Sequence, residues 1–262
     1  MNQNVTITEI LSRSDQGMTR PFLCRADDGG LYYVKGRYAG LRSLCCEWIA
    51  GNLARVFGMP VPEFVIAEVP SHLVEGSERP DVRDLGAGPV FASSRLENAR
   101  EITWQETKDW HIDGRARVLL FDWLVKNEDR SLSALGGNPN LLITAEQEGG
   151  WDEDGRTKER AYYHQCLWTF DFNLAFDPDF DAERFFGGHI FANTFIPEAI
   201  RAEFEARLPA ALVELPRIFD RMPVEWLHMD GDESLPVQLD QNEVYSILKR
   251  RLTDLDAWGL TL

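Results

Sequence analysis

The sequence predicts an α+β chain of two lobes that share a cleft. Three observations predict it. Runs of alternating apolar residues bounded by turn residues dominate the first third, helical spacing dominates most of the rest, and regular strand–helix–strand alternation is missing between them. The division falls near residue 95, with a small antiparallel sheet and one helix before it (1–95) and a mainly helical part after it (96–262).

The elements follow in order. VTITEI, PFLCRA and LYYVKG read as strands, turned at Ser14-Asp15-Gln16-Gly17 and at Asp27-Asp28-Gly29-Gly30. Leu41, Leu44, Cys45, Trp48, Ile49, Leu53 and Val56 recur at helical spacing, and Gly58 followed by Pro60 stops that helix. VPEFVIAEV (61 to 69) returns to strand, residues 71 to 88 read as a polar surface loop, and PVFASS (89 to 94) is a further strand. From Asp113, GRARVLLFDWLVK is helical, until Gly, Pro and Asn in NEDRSLSALGGNPNLLI break it ahead of a short apolar strand. Residues 145 to 160 are acidic and aperiodic, a solvated hairpin tip, and AYYHQCLWTFDFNLAF (161 to 176) reads as strand throughout. The remainder is helical, with Pro197, Pro209, Pro216 and Pro223 marking helix starts and NEVYSILKRRLTDLDAW as the last helix.

Composition narrows the function classes. The 262 residues carry 27 basic and 43 acidic side chains, a formal charge of -16, which repels phosphate backbones and anionic membranes. A small anion then needs a local basic pocket and a metal. Four cysteines without C-x-x-C or framework spacing read as free thiols in a reducing compartment, and the vicinal Cys45-Cys46 pair reads as packing. The N-terminus lacks a secretory pattern and VLLFDWLV is too short to span a bilayer, so the expectation is a cytoplasmic protein without a nucleic-acid or membrane partner. The five histidines do not fall at zinc spacing, and neither a G-x-S-x-G elbow, a Walker loop nor a dinucleotide fingerprint occurs.

What remains fits phosphoryl transfer, which needs cations across phosphates, an aligned hydroxyl and a carboxylate to orient it. Lys35 ends a strand, and the helix after it carries Glu47. Glu47 lies off the apolar stripe, leaving a solvated side chain and a lysine partner as equal readings. Asp129 sits in the loop after a helix, Asn140 enters a strand, and Asp171 lies between Phe170 and Phe172, where an unpartnered carboxylate would be costly. One amide and one carboxylate oxygen suit a hard cation that keeps water and phosphate oxygens as its other ligands.

YYVKG, CEWIAGNLARVFGMPVP, NEDR, NPNLLI and TFDFNLAF resemble the landmarks of HipA-like kinases, over about residues 10 to 180. The resemblance implies a protein-kinase-like fold, ATP and Mg2+ as cofactors, Lys35 on the ATP phosphates, Asp129 as catalytic base, and Asn140 and Asp171 as metal ligands. It also implies a phosphate-covering loop at SRSDQGMTR (12 to 20) with Gly17 in close approach, and an adenine hinge just after PVFASS with Phe91, Ala92 and Ser93 near the base; an ordinary core strand is the equal reading there. Three departures stand out. Asp129 and Asn140 are eleven positions apart where protein kinases have five, so SLSALGG must loop out and Asn138 competes as ligand. His-Arg does not precede Asp129, and DFN replaces D-F-G, with Asn173 able to take the left-handed conformation. The implied form is short, without an extra N-terminal domain, so neither a toxin role nor an antitoxin partner carries over. The implied acceptor is Ser or Thr of a protein or of the chain itself; a small-molecule or lipid-headgroup kinase and a nucleotide-binding scaffold are the alternatives.

Overall fold

The computed structural model describes residues 5–15, 17–148, 162–229 and 235–254. β1 (Val5–Arg13), β2 (Phe22–Ala26) and β3 (Leu31–Lys35) lead into α1 (Leu41–Val56). They are followed by β4 (Phe64–Val69), the short α2 (Ser71–Glu75) and β5 (Gly88–Ser94). The strands do not form an open sheet: they close into a barrel in the order β1-β2-β3-β5-β4, through a parallel pairing of Val5 with Ala67 and Thr6 with Glu68. Two register shifts in the long β1 bend it far enough to reach β4, which is why alternation alone predicted only a sheet. Ile7, Phe22, Cys24, Val34 and Ala92 fill the barrel.

The stretch read as a free loop is instead the barrel's cover. α2 and a 3-10 turn at Pro80–Asp84 bring Val82 and Leu85 into the barrel core. The Leu85 carbonyl accepts from the Arg37 N–H, and a side chain at Gly36 would meet that carbonyl at 2.0 Å.

α1 is buried on almost every side, including Cys46, Glu47, Ala50 and Ala54 beyond the expected stripe. A helix buried all round loses its amphipathic signature. One side faces the barrel through Phe64, whose ring meets Trp48 edge-on at 5.7 Å and Phe91 at 5.4 Å. Its other side joins the C-terminal helices, with the Trp48 indole donating to the Ile218 carbonyl and Phe57 stacked on Phe204 at 5.0 Å. A Cβ at Gly51 would sit 2.8 Å from the Phe64 ring. Gly51→Ala is therefore expected to destabilise by about 1–3 kcal/mol through overpacking, outweighing the ~1 kcal/mol that alanine gains in helix propensity; a lower urea midpoint at unchanged slope checks this.

β6 (Arg100–Glu101), α3 (Trp104–Asp109) and α4 (Ile112–Leu124) follow, with Thr103 and Glu106 forming a reciprocal capping box on α3. β7 (Ser131–Ser133) and β8 (Gly136–Asn138) make the extra SLSALGG segment a two-residue-turn hairpin of its own. β9 (Leu141–Glu148) pairs antiparallel with β10 (Tyr162–Thr169) and with β6. Most of the acidic tip between β9 and β10 lies outside the described residues. β10 stops at Thr169, so the expected strand to residue 176 is half strand and half turn, with Asp171 and Phe176 at φ 59° and 58°.

α5 (Ala182–Gly188), α6 (Glu198–Asp220) and α7 (Gln241–Asp254) complete the chain. Pro197 and Pro223 precede helical turns as expected, but Pro209 and Pro216 lie inside α6. Both are exposed and two turns apart, on the face of α6 turned away from the core. Ile200, Phe204, Ala211, Leu215 and Ile218 hold the opposite face in the core. Among the described residues, no helix is long and apolar enough to cross a membrane.

Candidate active site

A cleft of about 520 Å3 opens between the barrel and the β9–β10 sheet, a volume suited to a small ligand. Lys35, at the end of β3, is only 8% exposed, and its Nζ donates to Glu47 Oε1 and, at 2.6 Å, to Asp171 Oδ1. Glu47 is buried, and its Oε2 accepts from the Phe172 N–H at 3.1 Å. That resolves the two readings of Glu47: the full burial of α1 carries it inward, off the apolar stripe but onto the lysine.

The electrostatics follow from burial and these contacts. Burial works against the Lys35 ammonium, but Asp171 and Glu47 outweigh it and hold its pKa above the ordinary lysine value. Burial pushes the Glu47 carboxyl up against the pull of Lys35. It pushes Asp171 up as well, yet Lys35 prevails and keeps that carboxyl below its usual range.

Asp129 lies in the loop after α4, and its Oδ2 accepts from both Asn138 Nδ2 at 3.0 Å and Asn140 Nδ2 at 3.1 Å. The eleven-position interval thus keeps Asn140 on Asp129, because the β7–β8 hairpin takes up the extra residues. Burial, reinforced by the negative charge of Asp171, raises the Asp129 pKa. Asn140 is tied to the residue before Asp171, the Phe170 N–H donating to the Asn140 carbonyl at 3.3 Å. Asn140 and Asp171 both have positive φ, 47° and 59°. The left-handed residue of DFN is its Asp and not Asn173, as the sequence suggested; Asn173 is buried with its amide oxygen unpaired.

Gly17 lines the cleft at φ 74°, with open space where a Cβ would stand. Phe91 and Ser93 line it too, whereas Ala92 points into the barrel core and offers the cleft no side chain. The opposite reading of β5 as a core strand is therefore right for Ala92. The stretch after it, including Leu96 and Ala99, forms the adjoining wall.

Two groups of residues escaped the sequence reading. Arg13 anchors the loop at 12–20: it lies between the rings of Phe22 and Tyr38, 4.8 Å from each, pairs with Asp84 at 2.6 Å and donates to the Arg20 carbonyl. Arg130 and Asp122 form a buried pair at 2.6 Å, joined by His189 Nε2 at 2.9 Å from Asp122. Burial would raise the Asp122 carboxyl, but Arg130 and His189 hold it low, and burial lowers the His189 imidazole. The one signal in the sequence was Asp122 interrupting VLLFDWLV.

Among the described residues, no cluster of three or more His, Cys, Asp or Glu is arranged to hold a metal ion. A cation here would need oxygens from outside the protein. The donor set fits that: with its Nδ2 committed to Asp129, Asn140 keeps its amide oxygen as an acceptor, and Asp171 has one carboxylate oxygen beyond the one bonded to Lys35.

A family model for HipA-like kinases matches residues 7–260. The chain belongs to the HipA-like kinase family. This HipA-like kinase is similar in fold to the proinflammatory kinase CtkA of Helicobacter pylori, with a TM-score of 0.54 at 12% identity, covering 98% of each chain. The Rio2 kinase of Chaetomium thermophilum, in an ADP/Mg2+-phosphoaspartate complex, gives a TM-score of 0.37 at 11% identity over 97% of this chain and 67% of that one. A comparison with the curated proteins found no match. The fold is the mixed α+β arrangement of kinases, strands first and helices after.

Proposed function

We propose that this HipA-like kinase transfers the γ-phosphoryl group of ATP to a hydroxyl of Ser or Thr, on a protein or on itself, in a cleft between lobes spanning about 1–95 and 96–262. One observation carries the reading: Lys35, Glu47, Asn140 and Asp171, from four parts of the chain, line one cleft, with Lys35 bonded to Glu47 and Asp171, and Asp129 adjoins it through its bond to Asn140. α1 shares one buried core with the C-terminal helices, which ties the two proposed lobes together.

Lys35, fixed by Glu47, neutralises α- and β-phosphate charge. The loop at 12–20, pinned by Arg13, covers the phosphates with Gly17 at its turn, and Phe91, Ser93 and the stretch after β5 border the adenine. Asn140 and Asp171 would hold a magnesium ion, which would supply charge neutralisation for the phosphates. Asp129, oriented by Asn138 and Asn140, accepts the acceptor hydroxyl's proton as its oxygen bonds to phosphorus and ADP departs with the electrons of the broken P–O bond. The buried free thiols of Cys24, Cys45 and Cys46 support a reducing, cytoplasmic setting.

Because the base must be ionised, transfer is full above the Asp129 pKa and lost as pH falls through it. That pKa is raised, so the acid limb of kcat/KM is expected to have its midpoint above 3.8; a midpoint at or below that value contradicts the assignment. The reading as a whole is tested by incubating the protein with γ-labelled ATP, magnesium and a cell lysate, then locating labelled sites by mass spectrometry. Labelled Ser or Thr supports it, label on lipid or metabolite redirects the acceptor, and nucleotide binding without label on anything leaves a scaffold.

A further inference from the structure

Arg130 follows the proposed base directly, yet its side chain is completely buried and points away from the reaction. Its Nε and Nη2 fork onto the two oxygens of Asp122 at 2.6 and 3.2 Å. Its Nη1 gathers three backbone carbonyls: Pro139 at 3.3 Å, Asn140, and Phe170 at 3.5 Å. These belong to the peptides that flank Asn140 and immediately precede Asp171, the two residues held at positive φ.

Left-handed backbone costs less at Asn and Asp than at other non-glycine residues, but it is still unfavourable and needs its surroundings to hold it. Here the hold is a single planar cation reaching two separate stretches of chain. The cation is itself well anchored: Asp122 supplies the counter-charge, and His189 Nε2 and Asn127 Nδ2, each at 2.9 Å, occupy the rest of its carboxylate. Leaving that charge buried without its partner would be costly, so the unit is kept whole. Lysine could not replace it, because a compact ammonium cannot fork onto a carboxylate while also spanning carbonyls on two separate stretches of chain.

We propose that Arg130 is a positioning residue that sets the spacing between Asn140 and Asp171 through their backbones, and so sets the metal requirement of nucleotide binding without touching substrate. This rests on the reading of those two residues as metal ligands.

The test compares the unaltered protein with Arg130→Lys and with Phe204→Leu, a change in the distant core where Phe204 stacks on Phe57. ADP binding is measured by calorimetry with and without Mn2+, free Mn2+ by electron paramagnetic resonance, and stability by thermal melting. Arg130→Lys is expected to raise the Mn2+ concentration for half-maximal binding roughly 10–100-fold, as loss of a group orienting metal ligands does, and to leave metal-free ADP affinity unchanged. Phe204→Leu should lower the melting temperature yet leave the Mn2+ requirement alone. An unchanged Mn2+ requirement in Arg130→Lys, or an equal shift in both variants, overturns the proposal. If Arg130→Lys does not fold, Asp122→Asn decides, since it leaves Arg130 without its counter-charge: a raised requirement supports the proposal and an unchanged one overturns it. Wild-type ADP binding that is indifferent to Mn2+ is a different result, which removes the metal-ligand reading itself and this proposal with it.

Discussion

Asp129→Asn is expected to lower kcat by roughly 10²–10⁴-fold, the contribution of a positioned proton acceptor, while ATP affinity stays within about 2-fold of wild type. The substitution is nearly isosteric, and Asp129 has no bond to Lys35 or Asp171 in this structure, so the lysine cluster keeps its geometry. What changes is the polarity of the contact with Asn138 and Asn140, whose amide groups both donate to Asp129 Oδ2. Single-turnover transfer beside equilibrium ATP binding separates the two quantities. Loss of binding in proportion to loss of rate would move Asp129 from the chemistry to the scaffold of the nucleotide site.

Asp171→Ala is expected to act on the other side of that divide. Lys35 retains Glu47 as counter-charge, so the buried cation is not orphaned and the protein should still fold. The cluster nonetheless loses the carboxylate proposed to hold the metal, and kcat/KM is expected to fall on the order of 10²–10³-fold, the scale for removing one preorganised electrostatic contact. Much of that loss should appear as a higher magnesium requirement for ATP binding, with metal-free ATP affinity unchanged or improved as a negative charge leaves the phosphate site. Titrating magnesium at fixed ATP reads this directly. A variant with wild-type metal dependence would mean that Asp171 only partners Lys35.

The parts of the site that the sequence revealed are those whose signal is local. Lys35 closes a strand of alternating residues, Asp129 follows the helix that Gly, Pro and Asn interrupt, and Asn140 leads into LLI. Glu47 could not be resolved, since its burial depends on α1 being enclosed by the barrel on one side and α6 on the other, which no pattern within the helix records. Of the Asp122–Arg130–His189 unit only Asp122 left a local signal, because His189 is 67 positions away and comes from the end of α5. Barrel closure depends on two register shifts in β1, and strand alternation does not report them. Pro209 and Pro216 misled because proline was weighed by its usual place at helix starts, whereas an exposed helix face that water can reach tolerates it. The end of β10 was missed because Phe170, Phe172 and Phe176 keep a strand-like apolar pattern through a turn whose left-handed residues are held by contacts from elsewhere.

The proposed chemistry requires Asn140 and Asp171 to hold one cation against one nucleotide. The most direct measurement is a crystal structure with Mn2+ and a non-hydrolysable ATP analogue, using anomalous scattering to locate the metal. The account predicts a peak bonded to both the Asn140 amide oxygen and an Asp171 carboxylate oxygen, at about 2.0–2.2 Å, with phosphate oxygens completing the shell and Lys35 on the same triphosphate. A metal bound by Asn138 in place of Asn140, or a nucleotide seated without contact to Asp171, would contradict it.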